Sequence, residues 1–156
     1  MVKKILLGVV VFAGLIQLIR PTRNTSDAPD PNALKAHYPL PDSVEAVLRV
    51  ACYDCHTNHS RYPWFDKIAP VSWLVAYHIN GGKRHLNFDE FFAYPVKRQV
   101  KRLGNISETL EDGTMPLSTY TWAHKDAILT EAQKRLLSDW ANGLKKQISD
   151  TTHAAL

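Results

Sequence analysis

Cysteine is scarce in this chain of 156 residues, with only Cys52 and Cys55 present. Three positions apart, they cannot staple long loops together, which excludes the disulfide framework of a small secreted domain. The 7 glycines and 9 prolines fall at no fixed period, so a repeat array, a collagen-like rod and a coiled coil are excluded as well. No stretch alternates apolar and polar residues for long enough to make a strand. Charge is nearly balanced, 19 Lys+Arg against 15 Asp+Glu for a net +4, and Lys3, Lys4, Arg20 and Arg23 flank one apolar run. Basic character therefore gives no nucleic-acid interface. Phosphate loops, serine triads and paired carboxylates are also missing. What is present, 45% hydrophobic and 22% charged residues, suits one globular domain with a terminal extension.

The extension lies at the N-terminus. Lys3 and Lys4 precede Ile5 to Ile19, broken only by Gln17 and closed by Arg20-Pro21, the charged flank and apolar stretch of an export signal or signal anchor. Fifteen helical residues reach roughly 22 Å against a hydrocarbon core of about 30 Å, a marginal span. Bulky Leu18, Ile19 and Arg20 offer no small-residue cleavage site, which favours an uncleaved anchor over a cleaved signal. The expected organisation is a signal anchor and transmembrane helix over 1–20, a Pro-rich linker over 21–41, a folded domain over 42–145 and a polar tail over 146–156.

Within the domain, helical spacing dominates and the expected fold is all-α. Asp42 and Glu45 resemble a capping box ahead of Val44, Val47, Leu48 and Ala51. Val71 to Ile79 reads as a helix stopped at Gly81-Gly82, and Val96 to Asp112 as another with Val100, Leu103, Ile106 and Leu110 on its apolar stripe. Thr130 and Gln133 open a last helix whose buried face holds Leu136, Leu137, Trp140, Ala141 and Leu144.

The chemistry centres on Cys52-Tyr53-Asp54-Cys55-His56. Two thiols so spaced add to the two vinyl groups of one haem, and the following imidazole ligates the iron: this is the CxxCH pattern of c-type haem attachment. Zinc held by Cys52, Cys55 and two of His56, His59 and His78 is an alternative the spacing allows. A redox dithiol is a second, though its CxxC needs a strand before it rather than a helix. Covalent haem attachment takes place outside the bacterial inner membrane. The expected location is thus inner-membrane anchored, with the domain in the periplasm.

The segment Cys52 to Trp64, with Ile68-Ala69-Pro70-Val71-Ser72-Trp73-Leu74, Leu86-Asn87-Phe88 and Met115-Pro116-Leu117, resembles the bacterial haem-binding domain family whose members carry CxxCH. The resemblance covers about residues 40 to 145 and implies a cytochrome c-like helical domain exposed to the periplasm.

A haem iron held by His56 has a second axial position. Met115 is the only methionine after the initiator and sits in a loop ahead of the last helix, an arrangement similar to that of class I cytochromes c. His78 is the less favoured axial alternative, since it shares a helical face with Val71, Leu74 and Val75. Arg61, Tyr62, Trp64 and Trp73 are candidates to contact propionates or the haem edge. Lys97, Arg98, Lys101 and Arg102 read as a solvated helix face in preference to a docking patch. The sequence therefore points to a periplasmic monohaem cytochrome with one covalently attached haem c, a membrane contact through its N-terminal helix, an unidentified redox partner protein and no nucleic acid. A peroxidase-like haem enzyme or a ligand sensor with an open distal site is the rival; against it, the sequence shows no evident Arg-His distal pair for peroxide cleavage, His78 with Arg84 being the one combination left open. A haem-bearing subunit tethering a respiratory complex is the third reading.

Overall fold

The computed structural model describes residues 1–154, and side chains through 152. Eight α-helices follow one another: α1 (Val2–Ile16), α2 (Leu34–His37), α3 (Asp42–Ala51), α4 (Tyr53–His56), α5 (Val71–His85), α6 (Val96–Glu111), α7 (Ser118–Ala123) and α8 (Glu131–Ala154). Short 3₁₀ turns at Trp64–Lys67, Phe88–Ala93 and Lys125–Ala127 connect them. The described residues contain no strand, only one isolated bridge between Thr25 and His59. The fold is all-α.

The core is built on an antiparallel pairing of α6 with α8, the most extensive contact in the molecule. Leu103 and Leu110 of α6 meet Leu137, Ala141, Leu144 and Ile148 of α8, and Val44 and Leu48 of α3 complete the cluster. All four apolar positions expected on α3 are buried. The start of α8 carries the expected reciprocal cap: the Gln133 N–H donates to Thr130 Oγ1 at 3.3 Å, and the Thr130 N–H donates to Gln133 Oε1 at 2.9 Å. Ile148 is 5% exposed. Burial of its side chain carries the helix into the segment read as a polar tail, which is helical to Ala154; residues 155–156 lie outside the described part.

Asp42 does not cap α3. It is the first helical residue, with Pro41 before it, while Glu45 pairs with Arg49 at 3.2 Å and Lys35 at 3.6 Å. Nor does α5 stop at Gly81-Gly82. It runs to His85, and α4 approaches Gly82 so closely that a Cβ there would lie 2.5 Å from the Cys55 carbonyl oxygen. The glycine is required by this close approach and not by a turn.

Of the linker expected over 21–41, the part from Asn24 onward is tied to the domain. Asn24 Nδ2 donates to the Thr57 carbonyl and to Ser60 Oγ, each at 2.8 Å, and the Ser60 N–H returns to the Asn24 carbonyl at 2.9 Å. Leu34 is 2% exposed. Polar composition hid a strap held by these hydrogen bonds and by Leu34, Tyr38 and Leu40 packed against the core.

The expectation of a transmembrane helix over 1–20 is corrected in one respect: no helix among the described residues is long and apolar enough to cross a membrane. Helix α1 ends at Ile16, and the Gln17 side chain that follows ties its end to the domain. Its Oε1 accepts from the Ala69 N–H at 2.9 Å and its Nε2 donates to the Ala69 carbonyl at 3.1 Å. Trp73 Nε1 adds a bond to the Ile19 carbonyl at 2.8 Å. Upstream of this clamp, Ile5, Leu6, Leu7 and Phe12 are all exposed.

Candidate cofactor site

Helix α3 delivers the chain into Cys52, and α4 makes a single turn in which the N–H groups of Cys55 and His56 both donate to the Cys52 carbonyl, at 3.1 and 3.0 Å. That turn places both thiols and the imidazole on the wall of one cavity of about 430 Å³. Its other walls come from α5 (Tyr77, His78, Gly81, Gly82), α6 (Arg102, Asn105, Ile106, Thr109, Leu110) and the loop carrying Met115, Pro116 and Leu117. Cys52, Cys55, His56 and Met115 thus converge on one space, with His78 on the same lining.

Each reaches it by a definable route. His56 Nδ1 lies 2.8 Å from the Leu86 carbonyl oxygen, to which only a protonated Nδ1 can donate. The bond fixes the tautomer and leaves Nε2 as the ligating atom. Burial lowers the His56 pKa, with the Leu86 bond opposing, so the ring is neutral and able to ligate at pH 7. Met115 is positioned by the end of α6: Gly113 adopts φ +68°, and the N–H groups of Thr114 and Met115 both return to the Thr109 carbonyl at 3.1 Å. Burial pushes the Cys52 thiol up to about 12 and Cys55 to about 11. A dithiol oxidoreductase needs the opposite, a thiol lowered toward neutrality.

The residues expected at the haem edge are placed otherwise. Arg61 pairs with Asp54, the buried residue between the two cysteines. Tyr62 accepts from the Asn24 N–H at 2.8 Å and lies under the Arg23 guanidinium. Trp64 is 71% exposed, and Trp73 is engaged with Ile19. None of the four is in the cavity lining. His59 is outside it too, paired with Asp30.

Two lining residues escaped the sequence reading. Tyr120 donates to Asp54 Oδ2 at 2.7 Å, tying α7 to the CxxCH turn. Arg102 leaves its basic neighbours on the surface, and its Nε is buried without a partner. A signal was there to find: Arg102, Ile106 and Thr109 share one face of α6. His78 Nε2 is likewise buried and unpartnered.

The donor set fits haem. One turn supplies two thiols and a tautomer-locked imidazole, a thioether stands on another wall, and a cation on the lining lacks a counter-ion. A family model described as the haem-binding domain matches residues 11–143. The chain belongs to the haem-binding domain family. Among curated proteins and solved structures, none matches it. The family match reaches back to residue 11, so the strap at Asn24 and the Gln17 clamp both fall inside the haem-binding domain.

Proposed function

We propose that this haem-binding domain protein is a monohaem c-type cytochrome that carries one electron at a time, held at the outer face of a bacterial inner membrane by its N-terminal apolar helix. The observation that carries the reading is the convergence of Cys52, Cys55, His56 and Met115 on one cavity. Cys52 and Cys55 would hold the haem by thioether bonds, each thiol adding across one vinyl group with its hydrogen going to the other carbon and no net oxidation. His56, its ring held by Leu86, would offer Nε2 to the iron. Met115 would offer a thioether from the wall formed by the loop after α6. Bound haem would supply the one-electron couple, and histidine-methionine ligation would raise its potential. The chain's own part is to hold both ligands and to line the site with Leu48, Ile106, Leu110 and Leu137. Exposed apolar side chains along α1 supply the membrane contact.

The deciding experiment is denaturing gel electrophoresis of protein matured in a cytochrome c-competent host. Haem should stay on the polypeptide, and Cys52→Ala with Cys55→Ala should abolish this, because thioether bonds survive denaturation and axial bonds do not. Stoichiometric zinc without haem would overturn the proposal.

The unpartnered Nε2 of His78 on the same lining favours a second reading, a haem enzyme or ligand sensor with an open sixth position and Arg84 at the rim. Carbon monoxide binding to the ferrous wild-type protein separates the two.

A further inference from the structure

Arg102 is the one side chain on the cavity wall that is strongly basic, partly buried and without any bonded partner. Its Nε is shielded from solvent and makes no hydrogen bond, and Arg102 takes part in none of the ion pairs among the described residues. No aspartate or glutamate belongs to the cavity lining. A guanidinium is always charged, and leaving it half-buried with no anion is costly. Its position on α6 is nevertheless fixed: Leu103 beside it is fully buried, and Ile106 and Leu110 beyond it pack into the core. Asn105, three residues on, lies on the same wall. The cavity is the space from which an anion can reach this guanidinium.

We propose that Arg102 anchors a haem propionate through charge-assisted hydrogen bonds, with Asn105 beside it. The inference rests on the haem reading above. It assigns the propionate contact to α6, whereas the sequence suggested Arg61, Tyr62, Trp64 and Trp73. Arg61 is unsuited because its fork is already taken by Asp54, with Nε to Oδ1 at 3.0 Å and Nη2 to Oδ2 at 3.1 Å. Arg84 also lines the cavity, but it is exposed, so water can solvate its charge. An Arg fork matches a carboxylate bidentately, and an ion pair of this kind lowers a carboxyl pKa by roughly 1–3 units.

The test uses full-length protein with covalently attached haem, in wild-type form and as Arg102→Gln, Arg102→Lys and Lys101→Gln, the last removing an exposed charge from the same helix. Reduction potential is followed against pH, and the propionate bending band is followed by resonance Raman. The other titratable groups on the wall, His56, His78, Tyr77, Arg84, His85 and Tyr120, are common to all four proteins. In the wild type one propionate should stay ionised below the ordinary carboxylate range. Arg102→Gln should raise that ionisation by at least tenfold in proton affinity, Arg102→Lys by less, and Lys101→Gln not at all. Two propionates titrating in the ordinary range in the wild type would overturn the assignment even where Arg102→Gln does not fold, as would an unchanged titration in a folded Arg102→Gln. Failure of the wild type to retain haem on a denaturing gel would instead bring down the covalent reading, and the assignment with it.

Discussion

Asp54 and Arg61 face each other across the loop that follows CxxCH, the aspartate side chain 8% exposed and the arginine 56%. Tyr120 donates to the same carboxylate at 2.7 Å, so one buried anion joins the attachment turn, its following loop and α7. Arg61→Ala should cost about 1–3 kcal/mol, since it leaves a hydrogen-bonded charge short of its cation. Thermal unfolding of the haem-free and haem-loaded forms checks this, and equal Tm values for variant and wild type would refute it.

Gly82 and Gly81 should respond in opposite ways to the same change. Gly82→Ala forces a methyl toward the Cys55 carbonyl, an overpacking worth about 1–3 kcal/mol that also disturbs the turn bearing His56. Gly81 lines the cavity with nothing within 4 Å of an added Cβ, and Gly81→Ala should be neutral or stabilise α5 by up to ~1 kcal/mol in the haem-free protein. Denaturant unfolding and haem yield read both.

Met115 carries the test of the cytochrome reading proposed above. Met115→Ala should keep haem attached yet let carbon monoxide bind the ferrous form readily, lower the potential and remove the weak near-infrared band of ferric His/Met ligation. His78→Ala should do none of these. Reversal of that pattern would move the axial role to His78.

The strap has a pH signature. The hydrogen bond that His59 donates to Asp30 raises the His59 pKa, and the nearby carboxylates add to it. Burial of Asp30 works against its ionisation, but the bonds from His59 and Asn58 outweigh it and its pKa falls. A raised histidine contributes stability in full below its unfolded value near 6.5 and loses it as pH climbs through the folded value. The lowered aspartate contributes above its unfolded value and loses this as pH falls through the folded one. His59→Ala should therefore flatten the Tm profile of the wild type on the alkaline side of about pH 6.5, with little effect near pH 9. Identical profiles would remove the pair from the stability account.

Truncation separates strap from linker. A chain starting at Asn24 should fold and take up haem when given a cleavable export signal, whereas one starting at Asp42 loses buried Leu34 and the Asn24 bonds and should unfold at a clearly lower temperature. Equal stability would restore the linker reading.

The legible parts of the sequence were those governed by local period and local chemistry. Val44, Val47, Leu48 and Ala51 declared a buried face, and Thr130 and Gln133 a cap, while Cys52 to His56 form the turn that meets the cavity. What escaped depends on partners far along the chain. Asn24 finds Thr57 and Ser60, Gln17 finds Ala69, and Arg61 finds Asp54 instead of a cofactor; each is a polar bond with no periodic trace. Gly82 looked like a stop because the approach of Cys55 is a tertiary event. Arg102 looked like one more surface cation because three basic residues stand near it on α6.

The Gln17 clamp has a consequence for how electrons would be exchanged. With Gln17 fastened to Ala69 and Ile19 to Trp73, the haem domain begins immediately after the apolar helix, without a free tether. If α1 is seated in a bilayer, the domain rides close to the surface and cannot swing out to meet a distant donor. Its encounters then become a two-dimensional search, in which the partner arrives by lateral diffusion or docks from the aqueous side at a fixed height. Replacing Gln17 and Trp73 to free the domain would convert that geometry into a leash, and exchange rates would then depend on linker length.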